Sequence, residues 1–119
     1  NKFKNKEKKI KIFSPTHKRA FCYVDDAINQ MIKLAFNKKA NNNAFNIGNN
    51  KEEIKIIDLA NKISGLLNIK KKLIRGSNTP GSPIRRVPDM VKTNNLTKNL
   101  KFTNLDKGLE NYINWFFKK

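Results

Sequence analysis

Between Gly76 and Pro88 the chain carries Pro80, Pro83 and Pro88 together with Gly76 and Gly81. Each proline fixes its own φ and removes an amide donor, so neither a helix nor a central strand can cross this stretch. It has to be a structured loop, with the regular elements on either side of it. The loop ends in Arg85-Arg86, and a second punctuated segment, the turn Ser14-Pro15-Thr16-His17, leads to Arg19. Arginine is otherwise scarce: of 26 Lys and Arg residues only 19, 75, 85 and 86 are arginine, and 26 − 4 leaves 22 lysines. A planar guanidinium suits bidentate contact with phosphate, whereas lysine is a flexible point charge. Three of the four arginines therefore stand in shaped segments rather than in charge runs.

A chain of 119 residues supports one domain at most, with a modest core. A hydrophobic fraction of 38% and eight phenylalanines argue for a folded chain rather than a disordered polycation. The net charge of +17 by itself suggests nucleic acid or an anionic surface. Asparagine runs such as Asn41-Asn42-Asn43 and Asn49-Asn50 accompany the lysines, a joint bias that an AT-rich coding sequence produces. The lysines then read as a solvated surface. Cys22 stands alone, which excludes an internal disulfide and a metal framework and makes a reducing cytoplasm the expected setting. No apolar run approaches a membrane span. The chain starts with Asn1 in the middle of a lysine-rich pattern, as a piece of a longer protein would.

Residues 1–9 read as a helix end or an exposed lead-in, and Lys9-Ile10-Lys11-Ile12-Phe13 alternates as a strand. Asp25-Asp26 open a helix over about 25–37, with Ala27, Ile28, Met31, Ile32, Ala35 and Phe36 on its apolar face. Ala44-Phe45-Asn46-Ile47 reads as a short strand closed by Gly48, and Ile54 as part of a brief extended piece. A second amphipathic helix follows over about 56–67. Lys70–Ile74 is a third, edge-type strand. Asp89 is placed to cap a short helix over about 90–97, and Thr103-Asn104-Leu105-Asp106 resembles a capping box opening a last helix with Leu105, Leu109, Tyr112, Ile113 and Phe116 buried. There is no internal repeat and no second independent domain, so residues 1–119 read as a single lobe.

Taken in order, Arg-x-Phe-x-Tyr-Val-x-Asp after the strand and turn, then Phe-Asn-Ile-Gly, then Arg-x-Pro-Asp, then a closing Leu-x-x-Gly-Leu…Trp helix resemble the C-terminal part of the NAD-dependent epimerase/dehydratase family. These are extended short-chain dehydrogenases acting on nucleotide-activated sugars, and the resemblance runs along essentially the whole chain. It implies an α/β substrate lobe of a few short strands and about four helices, with the Rossmann lobe missing. It further implies that this lobe grips the nucleotide diphosphate of a nucleotide sugar. NAD and a catalytic Tyr-x-x-x-Lys pair would belong to the N-terminal lobe, and the sugar would exchange a hydride with NAD in the cleft between them. Dimerisation through N-lobe helices is common in such enzymes, so a homodimer would be a matter for the full-length protein, on which this piece offers no view.

Matched to the motifs, the resemblance implies that Arg19 and Arg86 are the two diphosphate arginines, that Phe13 packs against the nucleobase and that Asn46 lines the nucleotide site. Each has a plainer reading. The arginines could be surface ion-pair partners, Phe13 could be core, and Asn46 could be a strand-end residue bonding backbone. Arg85 faces solvent or supports the loop. Tyr23 and Asp26 read as packing and capping residues, and His17 with Cys22 lacks the third group of a nucleophile pair. The chain has no glycine-rich strand–turn–helix loop and no Tyr-x-x-x-Lys, since Ala27 stands where the lysine would follow Tyr23. The turn at 14–17 is short, and Lys55 holds the place of a Ser or Thr helix cap. The chain alone is therefore expected to bind and not to turn over, and, with one face left uncovered, to be marginally stable. The rival is a small basic nucleic-acid-binding protein, which explains the charge but not the sparse arginine or the order of motifs.

Overall fold

A computed structural model describes residues 9–68, 70 and 72–118, so the expected lysine-rich lead-in at residues 1–8 lies outside it. The elements run β1 (Lys9–Ile12), β2 (Lys18–Ala20), α1 (Val24–Ala35), a 3₁₀ turn (Lys38–Ala40), β3 (Glu53–Lys55), α2 (Ile56–Leu66), β4 (Lys72–Arg75), β5 (Arg85–Arg86), α3 (Val91–Leu96) and α4 (Leu105–Phe117). The described residues form an α/β arrangement of short strands and four α-helices, grouped in two compact units.

The first unit comprises residues 9–19 and Ile54–Arg86. Its β1 and β4 pair in parallel, Ile10 opposite Leu73, and α2 packs on both strands. Parallel strands need such a helical cover, and Ile10 of β1 and Ala60 of α2 are buried beneath it. A second sheet has the order β3-β2-β5, with β2 and β5 parallel. The turn at 14–17 organises both. Ser14 adopts φ 47°, its amide donates to Ser77 O at 3.0 Å, and its Oγ accepts from the Thr79 amide at 2.9 Å. The proline-rich loop is thus tied to the turn at its start. At the turn's other side, Ile56 N donates to His17 O and Ile57 N to Pro15 O, both at 3.0 Å. Those carbonyls satisfy two of the orphan amides of α2. Lys55 needs no capping side chain because the turn supplies the cap. Gly76 lets β4 leave close to β1: its amide reaches Ile12 O at 2.8 Å, and an added Cβ would stand 3.2 Å from that oxygen.

The second unit comprises 20–53 and 87–118 and holds α1, α3 and α4. Helix α1 forms where the periodicity places it, yet it buries the other side. Asp26, Gln30 and Leu34 are inside, while Val24, Ile28, Met31, Ile32 and Phe36 are exposed, Phe36 by 87%. Gln30, fully buried, donates from Nε2 to Gly48 O at 2.9 Å and accepts from Gly48 N at 3.2 Å. Asp26 does not cap its own helix: its Oδ2 accepts from the Thr103 amide at 2.7 Å and its Oδ1 from the Thr103 hydroxyl at 3.3 Å. With Thr103 so engaged, α4 is capped by Asn104, whose Oδ1 accepts from Lys107 N at 2.9 Å. Asp89 does act at α3, its Oδ1 accepting from Val91 N at 2.9 Å. Residues 44–47 form no ladder with any described strand. They are held by side chains instead, Thr93 Oγ1 donating to Asn46 O.

Candidate functional site

The predicted arginines meet on the second sheet. Arg19 in β2 is the register partner of Arg86 in β5, and Lys18 that of Arg85. Register partners on neighbouring strands project from the same face, and successive residues alternate faces. Arg19 and Arg86 therefore rise side by side from one face, and Arg85 from the opposite one. Two like charges in that position repel unless an anion lies between them.

Arg19 is half-buried and held, whereas Arg86 is exposed. Arg19 Nη2 donates to Ser82 Oγ at 2.8 Å and Nη1 to Lys18 O at 2.7 Å. Ser82 belongs to the proline-rich loop, whose Ser82 N–Thr79 O bond forms a turn just before β5. The Ser82 hydroxyl also faces Nδ1 of buried His17 at 3.5 Å, and His17 Nε2 is a buried nitrogen with no hydrogen-bond partner among the described residues. Sequence reasoning passed over Ser82. Its only signal was position, a hydroxyl flanked by Gly81 and Pro83 in the segment that carries the second arginine.

Phe13 follows β1 and is 45% exposed, which removes the core reading. Lys11 Nζ lies 5.3 Å from its ring centroid. Asn46 belongs to the second unit. Its Nδ2 donates to Asp89 O at 2.9 Å, the plainer role foreseen for it. It lines a shallow cavity of about 270 Å³ with Ala44, Phe45, Asp89 and Lys92, the Lys92 Nζ standing 4.6 Å from the Phe45 ring centroid. A larger and mainly apolar cavity of about 290 Å³ in the same unit lies between the 21–24 segment and the start of α4, and contains none of the predicted site residues.

Cys22 has the environment of an inert thiol. Burial pushes its pKa up, the Asp26 carboxylate raises it further, and the Gln30 amide 3.8 Å from Sγ offsets only part of this. A nucleophilic cysteine needs the reverse shift. Among the described residues no group of three His, Cys, Asp or Glu side chains could hold a metal ion, and no helix is long and apolar enough to cross a membrane. The strand-to-helix junction from β3 to α2 carries Lys55 and no glycine, so it does not fit the pyrophosphate of a dinucleotide.

The fold is shared with part of an epimerase from Methanothermobacter thermautotrophicus, on which the chain superposes with a TM-score of 0.82 at 19% identity, over 91% of this chain and 32% of that one. Closer in sequence is a UDP-glucuronic acid 4-epimerase from Bacillus cereus, solved in complex with UDP-glucuronic acid and NAD, at 27% identity and TM-score 0.75 over 89% of this chain and 35% of that one. UDP-glucuronic acid decarboxylase 3 of Arabidopsis thaliana is 34% identical over 77 residues, 65% of this chain and 22% of the relative. No family model matches the chain. The chain is thus similar in sequence to part of two UDP-glucuronic acid decarboxylases and, in sequence and fold, to part of a UDP-glucuronic acid 4-epimerase. It spans about a fifth of the length of the curated relatives and about a third of the solved structures.

Proposed function

We propose that residues 1–119 are the C-terminal nucleotide-sugar-binding lobe of an NAD-dependent sugar epimerase, dehydratase or decarboxylase of the cytoplasm. In this reading Arg19 and Arg86 clamp the nucleotide diphosphate, Phe13 offers an aromatic face to the base, and Asn46 lines the nucleotide's surroundings. The observation that carries it is the Arg19–Arg86 register pair, which sets two guanidinium groups on one sheet face. Two guanidinium forks rising from one face can each take a phosphate of a pyrophosphate. In this reading NAD and the proton-transferring residues belong to an N-terminal Rossmann lobe. The chain's own contribution is binding and orientation, which lowers the barrier by fixing the sugar before reaction.

The exposed apolar stripe of α1 supports docking against that lobe. Five large apolar side chains on one helix face have a covering partner in most proteins, and the relatives are three to five times longer than the matched region. Homodimerisation would then be a property of the full-length protein.

Calorimetric titration of the full chain with UDP-glucuronic acid tests the site. Arg19→Ala and Arg86→Ala should each weaken binding about tenfold or more, the worth of a charge-assisted hydrogen bond. Random-sequence DNA should bind weakly and without regard to either substitution. Tight DNA binding with a steep salt slope, unchanged by both variants, would establish the nucleic-acid reading instead.

A further inference from the structure

The geometry points to Ser82 as a positioning residue for the phosphate grip: its hydroxyl fixes the Arg19 guanidinium in the pose that meets the diphosphate. The inference rests on the reading of Arg19 as a diphosphate ligand and adds to it a residue that touches no phosphate itself.

A free arginine loses much rotamer freedom when it binds an anion, and that loss is subtracted from affinity. Here the loss precedes binding. Nη1 is tied to Lys18 O at 2.7 Å and Nη2 to Ser82 Oγ at 2.8 Å. A guanidinium has five N–H donors, so two bonds leave three for a ligand. The Lys18 contact is local and moves with β2. The Ser82 contact is not local, since it joins residues 63 apart in sequence. It holds the guanidinium to the loop that delivers Arg86.

Ser82 is in turn supported from below. Its oxygen accepts from Arg19 and lies 3.5 Å from His17 Nδ1, a contact that either ring tautomer can make. His17 cannot move aside: it is 2% exposed, its amide donates to Ser14 O, and its carbonyl accepts from Ile56 N. The other ring nitrogen, Nε2, has no hydrogen-bond partner among the described residues, so the only side-chain contact given for the ring is the one to Ser82. A buried nitrogen without a partner is rare in a folded chain and calls for an explanation. Its place beneath the hydroxyl that holds Arg19 gives it a purpose.

The test is calorimetric titration of UDP-glucuronic acid into the full chain carrying Ser82→Ala, Ser82→Thr or Arg19→Ala, with thermal melts of each. Ser82→Ala should weaken binding about fivefold with its melting temperature near that of the unsubstituted chain. Ser82→Thr, which keeps the hydroxyl, should return to within about twofold. Undiminished affinity in Ser82→Ala, or a loss that Ser82→Thr fails to repair, overturns the positioning role while leaving the clamp intact. Undiminished affinity in Arg19→Ala overturns the clamp itself, and Ser82 with it.

Discussion

The two side chains proposed to clamp the diphosphate are distinguished less by charge than by their place in the fold. Arg19 and Arg86 are two of 26 basic residues, and their register partnership across parallel strands sets them apart. Cys22 shows the same principle for a thiol. Because burial and Asp26 raise its pKa in the folded chain, the neutral thiol is favoured by folding. That contribution is fully present below the thiol's unfolded pKa and is lost as the pH rises through the raised folded value. The melting temperature of the native chain should therefore fall more between pH 7 and pH 10 than that of Cys22→Ser, in which nothing titrates at this position. Parallel circular-dichroism melts of the two chains check the sign: a Cys22→Ser chain that falls as steeply refutes it. Iodoacetamide should also modify Cys22 more slowly at pH 7.5 than it modifies free cysteine, since the thiolate is the reacting species.

At the scale of elements, position was legible and orientation was not. Hydrophobic periodicity placed α1 within two residues, but it identifies which face is apolar, not which face is covered within this chain. The covered face is built on Asp26 and Gln30, polar residues that no apolar pattern marks. Residues 44–47 read as a strand from Phe45 and Ile47, yet a strand needs a neighbour, and no described strand pairs with them. The cap of α2 was illegible for another reason: its acceptors are the backbone carbonyls of Pro15 and His17, forty residues upstream, which no local motif encodes. That Arg19 and Arg86 face each other across two strands was not legible from the sequence, nor was the Ser82 hydroxyl that bonds Arg19, because both arise from pairing between distant segments. These orientations have a measurable consequence. Gln30→Ala leaves the buried Gly48 amide and carbonyl without their partners and should destabilise the chain by about 2–4 kcal/mol in urea titration. Ile32→Lys, on the exposed face, should change stability by no more than about 0.5 kcal/mol. Were the sequence-predicted face the buried one, the two results would be reversed.

For the whole molecule, the charge and the uncovered apolar surface pull in opposite directions. A net charge of +17 on 119 residues repels a second copy strongly at low ionic strength. The same chain exposes the α1 stripe and, on α4, Tyr112, Trp115 and Phe117. Such surfaces attract one another over short range and independently of charge. Screening decides which prevails, because the Debye length shrinks from about 30 Å at 0.01 M salt to about 8 Å at 0.15 M. Self-association should accordingly increase with sodium chloride, the opposite of what a complex held by lysine–phosphate contacts would do. Analytical ultracentrifugation over that salt range should show monomer at the low end and larger species at the high end. The double variant Ile32→Lys/Phe36→Lys should suppress the larger species, because it places charge on the apolar stripe without disturbing the buried side of α1. Association that declines with salt, or that survives both substitutions, would mean that the exposed stripe is not what brings the copies together.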